Sequence, residues 1–224
     1  MQYMEQGILP EALLNYLVRL GWSHGDQEIF GQEELIQLFD IDNVNKSASS
    51  FNTEKLLWLN QHYIKQADPL HIAHLLSPHL GRLDIDPSTG PELVEVVKAQ
   101  QERAKTLVEM AETSQYFYRD FEVFDETAAK KNLRPVARQP LQAIRKALHD
   151  LEVWTPESLH QCVDQTAASL ELKMGKVAQP LRVAVTGKAA SPGIDITLYL
   201  VGKDACLRRI DKALDYITKR EQQG

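Results

Sequence analysis

Proline at the start of apolar stripes, with glycine just past their ends, constrains this chain more than any other feature. Proline is tolerated in the first turn of a helix, where its missing N–H would have no partner, and it breaks a helix interior. Pro10 opens residues 10–21, whose apolar side chains fall at spacings of three and four and end at Gly21. Asp68-Pro69 opens a second such stretch ending near Gly81, and Thr155-Pro156-Glu157-Ser158 a third reaching roughly Met174. Pro140 stands at the start of a fourth, ending near Leu151. Between them, residues 32–39 read as a short helix. Thr53 is expected to cap residues 54–66, where Leu56, Leu57, Leu59, Tyr63 and Ile64 form one stripe. Residues 91–118 read as one long helix carrying Leu93, Val94, Val97, Leu107, Val108 and Met110, and residues 203–220 as another. Residues 43–52, rich in Ser and Asn, read as a loop. Only 182–186 and 196–201, rich in Val and Ile, leave helix and strand both open. The pattern predicts helical subdomains over 1–125 and 126–224, with the break between 120 and 135.

The formal net charge of −6 at first argues against a polyanionic partner, but its distribution permits one. Before Pro91 the basic residues are Arg19, Lys46, Lys55, Lys65 and Arg82, against more than twice as many acids. Residues 127–149 hold Lys130, Lys131, Arg134, Arg138, Arg145 and Lys146 and no acid at all. From Lys173 onward basic residues again outnumber acidic ones. A nucleic-acid face is therefore compatible with the second half and disfavoured in the first. A solvated basic helix face explains the same charges equally well. No apolar run approaches the roughly 20 residues of a membrane span, and residues 1–6 lack the basic flank and apolar core of a signal peptide. The two cysteines, Cys162 and Cys206, are far apart in sequence, which predicts reduced thiols in a cytoplasmic protein and no metal site.

Catalytic signatures are absent from the sequence. Thr186-Gly187-Lys188 lacks the earlier glycine and the later hydroxyl of a phosphate loop. His71, His74 and His79 share one helical segment but have no acidic or sulfur ligand on the same face, so helix-surface histidines are the expected reading. Cys162 sits beside Val163 in an amphipathic stretch, where core packing is the default. Asp84 and Asp86 before Pro87 read as turn residues.

Residues 9–17 (LPEALLNYL), 20–23 (LGWS), 51–64 (FNTEKLLWLNQHYI), 130–140 (KKNLRPVARQP), 174–187 (MGKVAQPLRVAVTG) and 191–193 (SPG) resemble, in order, the C-terminal half of bacterial glutamyl-tRNA synthetases, most closely those of proteobacteria. The resemblance implies an all-α anticodon-binding region of a class I aminoacyl-tRNA synthetase, with the Val/Ile stretches helical. The family's two ATP-handling signatures, of HIGH and KMSKS type, do not occur. Residues 45–50 (NKSASS) look superficially like the second, but the family places it just before the point where this chain begins. The resemblance thus implies a piece starting after the catalytic loop, inactive alone and without a cofactor. The parent would use ATP and Mg. The implied partners are glutamate tRNA and the absent catalytic domain, with no membrane; a cytoplasmic monomer is expected.

The resemblance also implies site residues. Arg103 would face the third anticodon base. Gln179 and Arg182, with the loop Ser191, Pro192, Gly193 and Ile194, would face the other two. Ser191 and Ile194 stand where some relatives have Thr and Leu. Without the resemblance, Arg103 reads as a solvated or ion-paired helix residue, Pro192-Gly193 as a turn, and Arg182 as the partner of a nearby acid. Lys130, Lys131, Arg134, Arg138 and Lys176 are candidates for phosphate-backbone contacts. A helical protein-interaction module that has lost RNA binding is the competing expectation, and retention of both Arg103 and the loop argues against it.

Overall fold

A computed structural model describes residues 2–45 and 49–222. Among these the regular structure is helical, apart from one isolated bridge between His24 and Gln27. The chain forms two compact units. The first comprises Met1–Asp86 and Gln100–Ser114, the second Pro87–Ala99 and Gln115–Gly224. The chain therefore passes between units three times, where a single division after residue 125 was expected.

The first unit holds α1 (Gln2–Glu5), α2 (Pro10–Gly21), α3 (Gln32–Leu38), α4 (Thr53–Gln66) and α5 (Pro69–Gly81). The α2 and α4 stripes meet: Ile8, Tyr16, Leu56 and Leu59 are buried together. Asn60 on α4 is fully buried and hydrogen-bonds three backbone groups. Its Oδ1 accepts from Leu9 N at 2.8 Å, and its Nδ2 donates to Gly7 O at 3.1 Å and Lys105 O at 2.7 Å. Such buried amides are stable only when satisfied, so Asn60 fixes the relative position of the segments it joins. The cap of α4 is Asn52, whose side chain accepts from Lys55 N at 3.0 Å, one residue ahead of the expected Thr53. Lys46, Ser47 and Ala48, the middle of the signature-like run 45–50, lie outside the described residues.

Residues 91–118 are not one helix. They form α6 (Leu93–Gln100) and α7 (Leu107–Tyr118), separated by residues 101–106. The interruption has a local cause. The Glu109 carboxylate accepts from Lys105 N at 2.8 Å and Thr106 Oγ1 accepts from Glu109 N at 3.0 Å, a reciprocal arrangement that starts a helix rather than continuing one. The Gln101 side chain, buried, donates to Ile64 O at 3.0 Å and Ala67 O at 2.8 Å, satisfying carbonyls at the end of α4.

The second unit adds α8 (Glu126–Asn132), α9 (Arg138–Asp150), α10 (Pro156–Ser169), α11 (Met174–Thr186), α12 (Ile194–Val201) and α13 (Lys203–Gln222). The two Val/Ile stretches are helical, within α11 and α12. Their branched side chains serve a core of Leu141, Ile144, Leu159, Val163, Leu181 and Ile210 that closes over them. Helix α10 stops at Ser169, short of the expected Met174, because Glu171 adopts a left-handed φ of 55° and Leu172 N bonds back to Ala167 O at 2.9 Å. Helix α8 carries too little apolar periodicity to have been expected. Asp125 caps it, accepting from Ala128 N at 2.7 Å.

Candidate nucleic-acid interface

In the second unit, three side chains on one face of α11 hold the segment that follows it. Gln179, Arg182 and Thr186 stand at spacings of three and four, hence on one side of the helix. Thr186 Oγ1 donates to Arg182 O at 2.8 Å and accepts from Lys188 N at 3.1 Å. Gln179 Nε2 donates to Ala189 O at 2.8 Å. Arg182 Nη1 donates to Ser191 O at 3.1 Å, and also to Ser191 Oγ and Pro192 O. Arg182 thus binds loop oxygens, where the bare sequence suggested an acid. Ser191 Oγ lies 3.0 Å from Thr197 Oγ1 on α12, pinning the far end of the loop.

The loop can leave the helix sharply because Gly187 has a φ of +74°, which costs glycine little. Its carbonyl accepts from Asp125 N at 2.9 Å, and a Cβ there would stand 3.1 Å from the Phe121 ring. Behind this turn lies Arg209 of α13, only 5% exposed. It donates to Asp120 Oδ1 at 2.8 Å, Tyr116 O at 2.9 Å, Val185 O at 2.8 Å and Arg119 O at 3.0 Å.

The loop's surface differs from its roster of candidate residues. Ser191, Pro192 and Ile194 are buried, and Ile194 belongs to the core. Lys188, Ala189, Ala190 and Gly193 are exposed. Gln179 and Arg182 are half-buried, and the Gln179 carbonyl oxygen has no partner among the described residues.

Arg103 belongs to the first unit, in the segment between α6 and α7 rather than on a helix. That segment is tied down on both sides by Gln101, by Lys105 O on Asn60, and by Leu107 N on Gly7 O at 3.0 Å. The Arg103 side chain projects from it, exposed and without an ion pair among the described residues. Neighbouring Glu102 is engaged by Lys65 at 3.3 Å.

The basic cluster divides. Arg138 pairs with Glu221 and donates to Thr218 Oγ1 at 3.1 Å. Lys130, Lys131, Arg134 and Lys176 are exposed and make no ion pair among the described residues. Lys131, Arg134 and Lys176 line a groove with Lys173, which sequence reasoning passed over, as it did Lys188. Both were visible as cations within a basic stretch; their exposure was not.

Both cysteines are unpaired and buried, and burial pushes the Cys206 thiol up to about 12, away from the nucleophilic thiolate. His71 lies 3.7 Å from Glu11, and His79 is buried in α5. Among the described residues no group of three His, Cys, Asp or Glu side chains is placed to hold a metal ion. No described helix is long and apolar enough to cross a membrane.

Known proteins supply the class. Residues 71–214 match the family model of the anticodon binding domain, and residues 1–58 match that of the catalytic domain of class I tRNA synthetases (E and Q). The chain belongs to the anticodon binding domain family. It is 58% identical over 220 residues to glutamate–tRNA ligase 1 of Alkalilimnicola ehrlichii, a match covering 98% of this chain and 47% of that protein. Two crystal structures have the same fold. A glutamate tRNA ligase from Elizabethkingia meningosepticum, in complex with its amino acid, superposes with a TM-score of 0.85 at 29% identity, over 96% of this chain and 43% of that one. The glutamate–tRNA synthetase of Elizabethkingia anophelis gives 0.80 at 29% identity, over 95% and 42%. The chain spans about half the length of these relatives.

Proposed function

We propose that this chain reads the anticodon of glutamate tRNA as part of a glutamate–tRNA ligase. The whole protein would couple glutamate to its tRNA with ATP and Mg in a separate catalytic domain, as a cytoplasmic monomer. The observation that carries this reading is the 58% identity to such a ligase across almost the entire chain. In this reading the exposed guanidinium of Arg103 faces the third anticodon base, and Gln179, Arg182 and the loop around Gly193 face the other two. Lys130, Lys131, Arg134 and Lys176 meet phosphates, whereas Arg138, already neutralised by Glu221, contributes less. Unstacked bases read by hydrogen bonding, over cations that hold the backbone, are the usual means of single-stranded RNA recognition.

The test is titration of the 224-residue chain with glutamate tRNA and with the same tRNA carrying a substituted anticodon. Saturable binding that weakens on substitution is expected. Equal affinity for the two would remove the anticodon from the reading, and no binding at all would favour a helical interaction module.

A further inference from the structure

The groove beside α11 has a chemistry that the base-reading residues do not absorb. It measures about 530 Å³, within the range of roughly 300–1,000 Å³ typical of small-molecule sites. Lys131 of α8, Arg134 in the following segment, and Lys173 and Lys176 at the start of α11 line it, and no acidic residue does. None of the four has an ion pair among the described residues. Its remaining surface is largely apolar, with Val136 and Leu172 exposed to solvent.

Two features say what such a groove accepts. Unneutralised cations with no acid among them call for an anion. Lys173 and Lys176 sit at a helix N-terminus with no acid in its first turn and no side-chain cap, so they add like charge to the positive end of the helix dipole. The exposed apolar surface between the cations calls in addition for a flat apolar group, which free phosphate and a carboxylate side chain both lack. A nucleotide supplies the anion and the flat face together. Gln179 lines the same groove and also holds Ala189 of the recognition loop, so the two sites adjoin.

We infer that the groove receives one unstacked nucleotide of single-stranded RNA, next to the bases met by the loop. Its phosphates lie among Lys131, Arg134, Lys173 and Lys176, and its base lies on the exposed apolar side chains of Val136 and Leu172. The inference rests on the reading that the chain binds an anticodon loop.

The experiment measures binding of the whole chain to an anticodon stem–loop RNA at physiological salt. Variants are the double K173A/K176A, Val136→Asp and, as a control outside the groove, Lys146→Ala. All four side chains are exposed, and circular dichroism verifies each fold. The groove variants are expected to weaken binding about tenfold and the control to leave it unchanged. A 4-thiouridine placed beside the anticodon should crosslink to the peptide containing Val136. Unchanged affinity in the groove variants, with weakened binding by Arg182→Ala, overturns the nucleotide site and leaves anticodon reading intact. Absence of RNA binding by the parent chain overturns both. Competition by polyglutamate as effective as by RNA would assign the groove to an acidic peptide instead.

Discussion

At the scale of single residues, two arginines stand in opposite surroundings, Arg209 buried and Arg103 exposed. Arg209 is buried and makes four hydrogen bonds, its planar donors matched to one carboxylate and three carbonyls, a geometry that a lysine ammonium cannot reproduce. Arg209→Met keeps the volume but orphans those carbonyls, so a loss of at least about 3 kcal/mol is expected in urea denaturation followed by circular dichroism. The pair also predicts a pH dependence. Partial burial alone would raise the Asp120 carboxyl, but hydrogen bonds and charge from Arg209 and Arg208 outweigh it and hold it below its ordinary 3.8. Stability from this group is thus fully present above pH 3.8 and lost as pH falls through the lower folded value. Asp120→Asn should flatten the acid side of the stability profile below about pH 4, and an unchanged profile would count against the pairing. Arg103, by contrast, is exposed and offers only donors. Glutamate anticodons end in cytosine, whose O2 and N3 are adjacent acceptors, whereas glutamine anticodons end in guanine, which presents N1–H and an amino group there. Arg103→Gln should therefore reduce the preference for hairpins ending the triplet in C over G by about 1–3 kcal/mol, read as a ratio of dissociation constants. An unchanged ratio would make it a solvated surface arginine.

At the scale of elements, the turn at Gly187 is where local conformation and the site meet. Gly187→Ala places a Cβ against the Phe121 ring at a left-handed φ, so a destabilisation of about 1–2 kcal/mol is expected. Weaker RNA binding should accompany it, because residues 188–193 leave from that turn. Full stability in the alanine variant would show that the turn relaxes freely. The helix starts marked by Pro10, Pro69 and Pro156 were legible because a proline in the first turn acts locally, joined at the third by the Thr155 cap. The gap between α6 and α7 was not read, although Thr106-x-x-Glu109 carries its signal. The apolar spacing on either side continues in phase, and a capping pair is outweighed when periodicity is read first. A tertiary contact adds to that local signal: Gln101 serves the end of another helix. The candidate loop was legible only as a turn with a resemblance. That Ser191 and Ile194 face inward depends on α12 packing beneath them, which no local pattern announces.

At the scale of the whole molecule, total charge and local charge make different predictions. The chain carries −6, yet Lys130, Lys131, Arg134, Lys173 and Lys176 of the second unit make no ion pair among the described residues. If net charge governed association with tRNA, two-charge changes of opposite sign would have mirror-image effects wherever they were made. If contact governs it, the slope of log K against log salt counts phosphates neutralised, at about 0.7 each for single strands. E33Q/E54Q removes two exposed acids of the first unit and brings the chain from −6 to −4. K173A/K176A brings it from −6 to −8. The expected outcome is asymmetric. The acid variant gains affinity at low salt through its long-range field, a gain that fades as the Debye length shrinks to about 8 Å, and its slope stays that of the parent. The lysine variant loses about 1.4 from the magnitude of the slope, two contacts at about 0.7 each. Titrations across a series of salt concentrations resolve this difference. Equal and opposite slope changes in the two variants would mean that tRNA senses only the molecule's overall field.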